Sequence, residues 1–278
     1  METVWKRLIP LVFIALLVFL GVTAAFVWNG VERSQRELDQ LMQERKQSRA
    51  NVLITTANED GALSAAMVVS ADPKRHTTDI ISLPIDTLVD VAGSNQTLGA
   101  VPAIGGIDML LEKLPEILPL PISNYLAFTP DTLAQAVDAA GGVELELPYA
   151  ITSRQPAVNL RRGVQVINGA GMAAIFSYTG QGAERQRALQ QAALQAFLEQ
   201  NVPRGEPQLQ QLLLDIFGQT ATDFSSFETA DYAAVFAGMN TEAIGKHTLP
   251  GSLQTVGGQR YFIYDAAAVN AFVNEILQ

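Results

Sequence analysis

Side chains able to do chemistry are few in this sequence of 278 residues. Cysteine is absent, and the two histidines, His76 and His247, stand alone in polar surroundings. A zinc site or a histidine-activated nucleophile therefore has no ligand set and no base to draw on. No glycine-rich loop followed by Lys-Ser/Thr occurs, so a P-loop is excluded. What remains is a carboxylate, a pair of glycines and scattered arginines. Asp86, with Thr87 beside it, follows Pro84 at the end of a predicted strand, where open α/β sheets place ligand-binding groups; a solvated loop aspartate or a helix cap accounts for the same pattern. Gly105-Gly106 could let the backbone approach a phosphate, although a turn before a helix is the simpler reading. Arg154, Arg161, Arg162, Arg185 and Arg187 are the candidates for a local positive patch.

The elements that must position these residues lie between Asn51 and the C-terminus, because the first 49 residues have a different character. Residues 8–28 are an uncharged apolar run behind Lys6 and Arg7, long enough at 1.5 Å per residue to cross a hydrocarbon core of roughly 30 Å. The expectation is a short cytoplasmic N-terminus at 1–7, a transmembrane helix at 8–28 and a single-pass protein. A cleaved signal peptide is the alternative, but the run exceeds the usual apolar signal core and FVWNGVE offers no small-x-small site. Arg33, Arg36, Arg45 and Lys46 follow the span closely, so charge asymmetry barely orients it. Residues 29–49 are polar, helix-forming and proline-free, with a thin apolar stripe of Val31, Leu38 and Leu41, which suits a stalk helix or linker. Lys and Arg outnumber Asp and Glu by seven to five up to residue 49, whereas eleven oppose twenty-three from residue 50 onward. The acidic part disfavours nonspecific binding to nucleic acid.

From Asn51 the pattern is that of an α/β domain. NVLIT and AAMVVSA are short apolar runs joined through NEDG, and TTDIISLP is a third strand stopped by Pro84, which removes a ladder donor. Residues 107–118 predict a helix kinked or ended at Pro115. TPDTLAQAVDAAGG predicts another, capped by Thr129, opened by Pro130 and closed by Gly141. In GGVELELP, Val143, Leu145 and Leu147 share one strand face and Glu144 and Glu146 the other. Residues 184–200 form the next long helix, with Leu189, Ala192, Ala193, Ala196 and Phe197 inward. Helices near 208–218 and 227–238, a strand at RYFIYD and a closing helix in AAAVNAFVNEIL complete the domain. Strands alternating with helices imply one covered sheet and no second domain.

Several of these segments carry recognisable motifs in a fixed order. NVLITT opens the domain; Ser82-Leu83-Pro84-Ile85-Asp86-Thr87 follows; then come Gly105-Gly106, PISNYLAFTPDTLAQAVDAAGGVEL, LRRGVQVINGAGMAA and the late Leu249-Pro250-Gly251. Together they resemble the LytR-CpsA-Psr family of membrane-anchored envelope proteins over about residues 50–275. The resemblance implies a three-layer α/β/α sandwich with a central mixed sheet over 50–278, preceded by one transmembrane helix. It also implies a bacterial cytoplasmic-membrane protein with an extracytoplasmic domain. The activity it implies is transfer of a glycopolymer from a polyprenyl pyrophosphate to the cell wall, with the lipid in an apolar tunnel and its pyrophosphate held by arginines, aspartates and Mg²⁺ at the mouth. Guanidinium groups suit that task because they pair with phosphate oxygens bidentately.

The sequence departs from the family at most of those positions. Ile85 stands where the resemblance expects an arginine, leaving Asp86 as the metal-binding and catalytic carboxylate. Ser64-Ala65 replaces an Asp-Thr pair, and Ser177 and Thr179 fall where an R-x-R pair is expected. In GAERQRALQQ, aligning Gln190-Gln191 with the family's glutamines puts Gln186 and Leu189 at the two arginine positions. A shifted register rescues Arg185 or Arg187, but not both roles. These two could reach the mouth from the helix start, and Arg161 or Arg162 could compensate from the preceding loop, with Gly105 and Gly106 as backbone contacts; solvated surface charges are the simpler account of the arginines.

Three functions follow. The first is a binding module, a pseudoenzyme retaining a lipid tunnel, for which Val68, Val69, Ile80, Ile81, Leu110, Leu111, Leu114, Leu126, Phe128, Ile175, Phe176, Leu194 and Phe197 supply apolar lining or ordinary core. The second is a scaffold recruiting envelope-assembly proteins through its surface. The third is an active Mg²⁺-dependent transferase with a rebuilt centre. A transcriptional role has no helix-turn-helix signal.

Overall fold

Strands β1 (Ala50–Ala57), β2 (Leu63–Asp72) and β3 (Thr77–Ser82) run as an antiparallel meander through the centre of the computed structural model, which describes residues 49–154, 157–225 and 229–277. A hairpin of β4 (Leu88–Val91) and β5 (Ser94–Thr97) leads to helix α1 (Val101–Ile117), β6 (Asn124–Phe128), α2 (Pro130–Ala139) and β7 (Val143–Leu147). The hairpin β8 (Ile151–Arg154) and β9 (Ala157–Leu160), then β10 (Gly163–Ile167), precede three helices, α3 (Gly169–Ser177), α4 (Ala183–Asn201) and α5 (Glu206–Phe217). The chain ends with β11 (Ala221–Thr222), α6 (Thr229–Ala237), β12 (Ile244–Thr248), the hairpin β13 (Gly251–Val256) and β14 (Gln259–Tyr264), and α7 (Ala266–Leu277).

The central sheet has the order β11-β6-β1-β2-β3-β12, with β6 parallel to β1 and β12 parallel to β3. It is a mixed sheet, and β1, β3, β6 and β12 all end at the same edge. Helices cover both faces, because successive side chains of a strand point to opposite sides. Leu53, Val68 and Ile81 are fully buried against Leu110 and Leu114 of α1 and Val269 and Val273 of α7. Met67, Val69 and Ile80 point the other way, toward Val137 of α2, Met172 and Phe176 of α3 and Ala193 of α4. Beyond β1 on that face, Leu209, Leu213 and Ile216 of α5 pack with Ala136 and Phe128. The three-layer α/β/α sandwich follows from this alternation. Helix α2 starts as expected: Thr129 accepts from Thr132 N–H, the Thr132 side chain returns the bond, and Pro130 occupies the first position. The last turn of α7 is held by two arginines, Arg49 and Arg75, which donate to the Ile276 carbonyl while Arg49 also pairs with Asp72 at 2.8 Å.

The structure departs from expectation in four places. Helix α1 begins before residue 107 and breaks at Gly105-Gly106, where Gly106 sits at φ +75°, whereas Pro115 lies inside the helix without ending it. Left-handed backbone explains why glycine is needed there. Strand β7 has the alternating burial its sequence predicts but pairs with β10, outside the central sheet. β6 and β12 join the sheet unannounced, the first behind a proline-rich approach and the second carrying the polar Lys246-His247-Thr248 along the sheet edge.

The fourth is a correction concerning the membrane. Among the described residues no helix is long and apolar enough to cross a bilayer. The longest of them, α4, has 19 residues but carries Glu184, Arg185, Arg187 and Glu199. The expected span at 8–28 and most of the stalk at 29–49 lie outside the described residues. Neither single-pass anchoring nor an extracytoplasmic location enters the proposed function.

Candidate functional site

Asp86 is fixed by backbone before any side chain acts. Thr87 N–H and Thr87 Oγ1 both donate to the Pro84 carbonyl, at 3.0 and 2.6 Å, closing a tight turn around Ile85-Asp86. Gly99 N–H bonds the Ile85 carbonyl at 2.7 Å, and Phe262 N–H of β14 bonds the Asp86 carbonyl at 2.8 Å. Held from three sides, the residue presents its carboxylate at the edge where the parallel strands end. It caps no helix. Its Oδ1 is buried without a hydrogen-bond partner, although the side chain as a whole is 30% exposed. An unsatisfied buried acceptor costs about 1–3 kcal/mol, so this oxygen favours an incoming donor or cation.

The cation nearest to it is Arg187. Its Nη1 stands 3.9 Å from Asp86 Oδ1, an ion pair too long for a hydrogen bond, and the side chain is 18% exposed. Helix α4 brings it there from its second turn. Just before it and one turn further on, the same helix buries amides: Gln186 Nε2 donates to the Phe176 carbonyl at 3.2 Å, and Gln190 Nε2 donates to the carbonyls of Phe176 and Ser64 at 3.0 and 3.2 Å. Ser64 is the extra residue of a β-bulge, since Thr56 pairs with Ala65 and Ala57 with Leu63. The bulge turns its hydroxyl onto Thr56 Oγ1 at 2.8 Å, a buried pair. A strand end, a bulge and a helix start thus converge on one small polar cluster.

The other expected site residues are placed apart from it. Ile85 packs onto the filled core beneath α1. Arg185 hydrogen-bonds Gln181 Oε1 at 3.2 Å, and its carbonyl accepts from Tyr149 Oη at 3.5 Å. Tyr149 lies 6.0 Å from Tyr178, ring to ring, and its pKa is raised above 10.0 by burial first and by Tyr178 second, with Arg185 opposing. Arg161 and Arg162 are exposed on the turn before β10, and Gly105 and Gly106 are exposed at the kink of α1. Leu189, Ser64 and Ala65 are buried, Ser177 is half-buried and Thr179 is exposed. Of the arginines named from sequence, Arg187 is the one in ionic contact with Asp86.

Behind the cluster lies a cavity with an apolar wall. It runs between the sheet and helices α2 to α6, and its volume is about 140 Å³. Val52, Ile54 and Thr56 form its floor along β1, Met67 and Val69 continue it on β2, and Ala193, Leu194, Phe197, Leu198 and Asn201 roof it along α4. Leu126, Phe128 and Phe176 also line it, whereas Val68, Ile81, Leu110 and Leu114 belong to the opposite, filled core. Thr56 links the two features, being both a wall residue and the partner of Ser64. Asp86 is not itself on the wall.

Sequence reasoning missed Thr56 and named the glutamines only as matches to a motif, without their burial. A signal existed for the glutamines, because Gln186 and Gln190 sit one turn apart and the same helix face continues into Ala193 and Phe197, a spacing that buries amides among apolar residues. The metal expectation meets little support in the donor set. Among the described residues no three Asp, Glu or His side chains gather as metal ligands, and Asp86 faces a guanidinium. Magnesium is commonly held by one or two carboxylates together with waters and substrate phosphates, and here Asp86 is the carboxylate in contact with Arg187.

The α/β/α sandwich with its mixed sheet is the fold of the LytR-CpsA-Psr domains. The family model described as the LytR_cpsA_psr family matches residues 29–277, and the chain belongs to that family. Among curated relatives it is 26% identical over 267 residues to the polyisoprenyl-teichoic acid–peptidoglycan teichoic acid transferase TagU of Oceanobacillus iheyensis, covering 87% of this chain and 79% of that one. To TagV of Bacillus subtilis it is 23% identical over 190 residues, 59% of this chain, and it spans about half the length of that relative. The crystal structure of B. subtilis TagV superposes with a TM-score of 0.72 at 21% identity, over 84% of this chain and 96% of that one. TagT bound to LIIa-WTA superposes at 0.69 and 16% identity, over 83% and 90%. Likeness at these identities establishes the fold.

Proposed function

We infer that this chain is a lipid-binding LytR-CpsA-Psr domain that takes the apolar tail of a polyprenyl-phosphate-type amphiphile into its cavity and lacks efficient glycopolymer transfer. The cavity carries the first half of this reading. Its wall joins β-strands to five helices and presents carbon to the space between them, as sites for apolar ligands do. Retaining such space forfeits packing that the opposite face of the sheet fully uses, since empty volume costs stability. A phosphate head would meet Arg187 and the open donor valence near Asp86.

The second half rests on charge. A pyrophosphate leaving group gathers negative charge during transfer, and electrostatic stabilisation of that charge supplies much of such catalysis. A single guanidinium already directed at a carboxylate is a weak clamp, and this chain is accordingly a divergent member of the family. The named activities of TagU and TagV, and the LIIa-WTA bound to TagT, suggest the lipid class and a place in cell-envelope glycopolymer assembly as an accessory. Arg185, Arg161 and Arg162 and the glycine pair at 105–106 would serve the head group only after local movement.

Calorimetric titration of the purified full-length chain with geranylgeranyl phosphate tests the reading. Saturable one-to-one binding is expected, abolished in Leu194→Trp, with no Mg²⁺-dependent phosphate release from a polyprenyl pyrophosphate. Absence of binding by the unsubstituted chain would sink the lipid assignment, and Mg²⁺-dependent release lost in Asp86→Asn would replace it with transferase activity.

A further inference from the structure

β7 and β10 form a two-stranded antiparallel ribbon outside the central sheet, and neither strand lines the cavity. Val143, Leu145, Leu147 and Ile167 bury the inner face of the ribbon in the core. Its outer face sets Glu146 opposite Val164 and Glu144 opposite Val166. The two valines are 65% and 67% exposed, the highest values of any large apolar side chain among the described residues.

The far side of the ribbon fixes where the backbone of these valines points. Glu144 N–H donates to Gln200 Oε1 at 2.9 Å, and the Glu144 carbonyl accepts from Gln200 Nε2 at 2.8 Å, so α4 closes the β7 edge. A residue whose N–H and C=O both turn away from the neighbouring strand belongs to a non-hydrogen-bonded pair, and its opposite residue turns its own groups away on the other side. Val166 therefore directs its N–H and C=O outward from β10, and the two-residue repeat makes Val164 do the same. Among the described residues no strand or other backbone group meets them. Edge strands are ordinarily blunted by lysine, proline or a bulge. Val164-Gln165-Val166 carries none of these, and Gln165 turns its amide back onto the Arg161 carbonyl.

We propose that the open edge of β10 is a docking site for an extended segment of another protein, added as a third strand, in which Lys or Arg alternates with apolar residues. Main-chain hydrogen bonds to Val164 and Val166 would hold the segment, as in other strand additions. Charge selects its side chains. Residues placed opposite the two valines lie on the outer face, two strand spacings or about 10 Å from the backbone of β7. A long basic side chain there covers valine with its methylenes and carries its charge toward Glu144 and Glu146. Both carboxylates are exposed and neither is held in an ion pair among the described residues. A second copy of β10 is a worse match, since it sets valine against valine and adds further carboxylates to the same face with no cation opposite either valine. Arg161 and Arg162, exposed on the turn before β10, confine the basic residues to these two positions.

The test uses a fluorescein-labelled heptapeptide, acetyl-Thr-Val-Lys-Val-Lys-Val-Thr-amide, and its counterpart with glutamate in place of both lysines, each titrated with the purified full-length chain and followed by anisotropy. Saturable binding of the lysine peptide is expected, at least about tenfold tighter than that of the glutamate peptide, because like charges placed side by side are strongly disfavoured. The double variant Glu144→Lys, Glu146→Lys should invert the preference. Val166→Pro removes an outward donor without touching the ladder to β7, and Val164→Lys repels a basic strand from the surface alone; each should weaken the lysine peptide at least about tenfold, with the far-ultraviolet circular dichroism of the chain retained. Equal binding of the two peptides, failure of the lysine peptide to bind, or full affinity in both valine variants overturns the proposal. A dimer of the chain in sedimentation equilibrium that Val166→Pro dissolves also overturns it, assigning the edge to a second copy. Every one of these outcomes is independent of lipid binding in the cavity.

Discussion

The two faces of the central sheet are made by the same strands and end in opposite states. Alternate residues of β1 and β2 decide it: Leu53 and Val68 fill one side completely against α1 and α7, while Val52, Ile54, Met67 and Val69 line an empty space beneath α2 to α6. The difference lies in the helices. α1 offers Leu110, Leu114 and Ile117 in one close seam. α4 instead offers small Ala193 between buried amides and Leu194, with Phe197 standing off. One face is filled throughout, and the other packs its core around a cavity.

Mutations should separate the faces by size of effect. Leu53→Ala on the filled side is expected to cost about 2–5 kcal/mol of unfolding free energy, read from denaturant titration, because a buried leucine leaves a cavity that the neighbours cannot close. Phe197→Ala on the hollow side should cost less, since its ring already borders empty space, and equal losses at the two positions would contradict the comparison. Leu194→Trp works in the opposite direction. Filling the cavity should leave stability within about 1–3 kcal/mol of the original while removing most of the bound lipid; unchanged lipid binding would place the ligand elsewhere.

Head-group recognition comes next in magnitude. Arg187→Ala is expected to weaken binding of geranylgeranyl phosphate by roughly tenfold or more, the worth of a hydrogen bond to a charged group, and to leave binding of the uncharged alcohol as it was. A parallel loss for both ligands would mean that Arg187 supports the helix and does not meet phosphate. The smallest effect concerns alkaline pH. Tyr125 and Tyr149 both have pKa values raised above 10.0, each first by burial; Asp223 and then Asp108 add to it at Tyr125, and Tyr178 adds to it at Tyr149. The folded chain therefore keeps these protons after the unfolded chain has begun to lose them, so their contribution is complete below pH 10.0 and declines as pH rises past it. Both side chains are only half-buried, so the slope should be shallow. Arg185→Ala should move the Tyr149 titration, followed by ultraviolet absorbance, further upward.

Local pattern made most of the elements readable before the structure. The Thr129-Pro130 helix start, the alternation of Val143, Leu145 and Leu147, and the run from Ala266 to Leu277 each carry their own signal. β12 did not, because Lys246-His247-Thr248 is polar and its strand conformation is set by pairing with β3. The break in α1 fell to glycine where proline was expected. A proline late in a helix loses one bond already near the frayed end, whereas Gly106 permits a backbone turn that no other residue takes freely.

At the site, Asp86 was readable from its place after a strand and Pro84. Which arginine meets it was not: Arg185 and Arg187 differ by two positions on one helix, about 200° around its axis, and only tertiary packing shows that Arg187 faces the carboxylate. The emptiness behind the site was likewise hidden, since Val69, Phe176 and Phe197 would read the same in a solid core.

The central claim is that the hollow face of the sheet holds a lipid. Native mass spectrometry of the full-length chain, purified from cells without added lipid, tests it most directly. A stoichiometric adduct with the mass of a phosphate-bearing single-chain lipid, lost in Leu194→Trp, is the expected result. A chain that emerges consistently bare, in the same spectrum whether or not the cavity is filled by mutation, would contradict it.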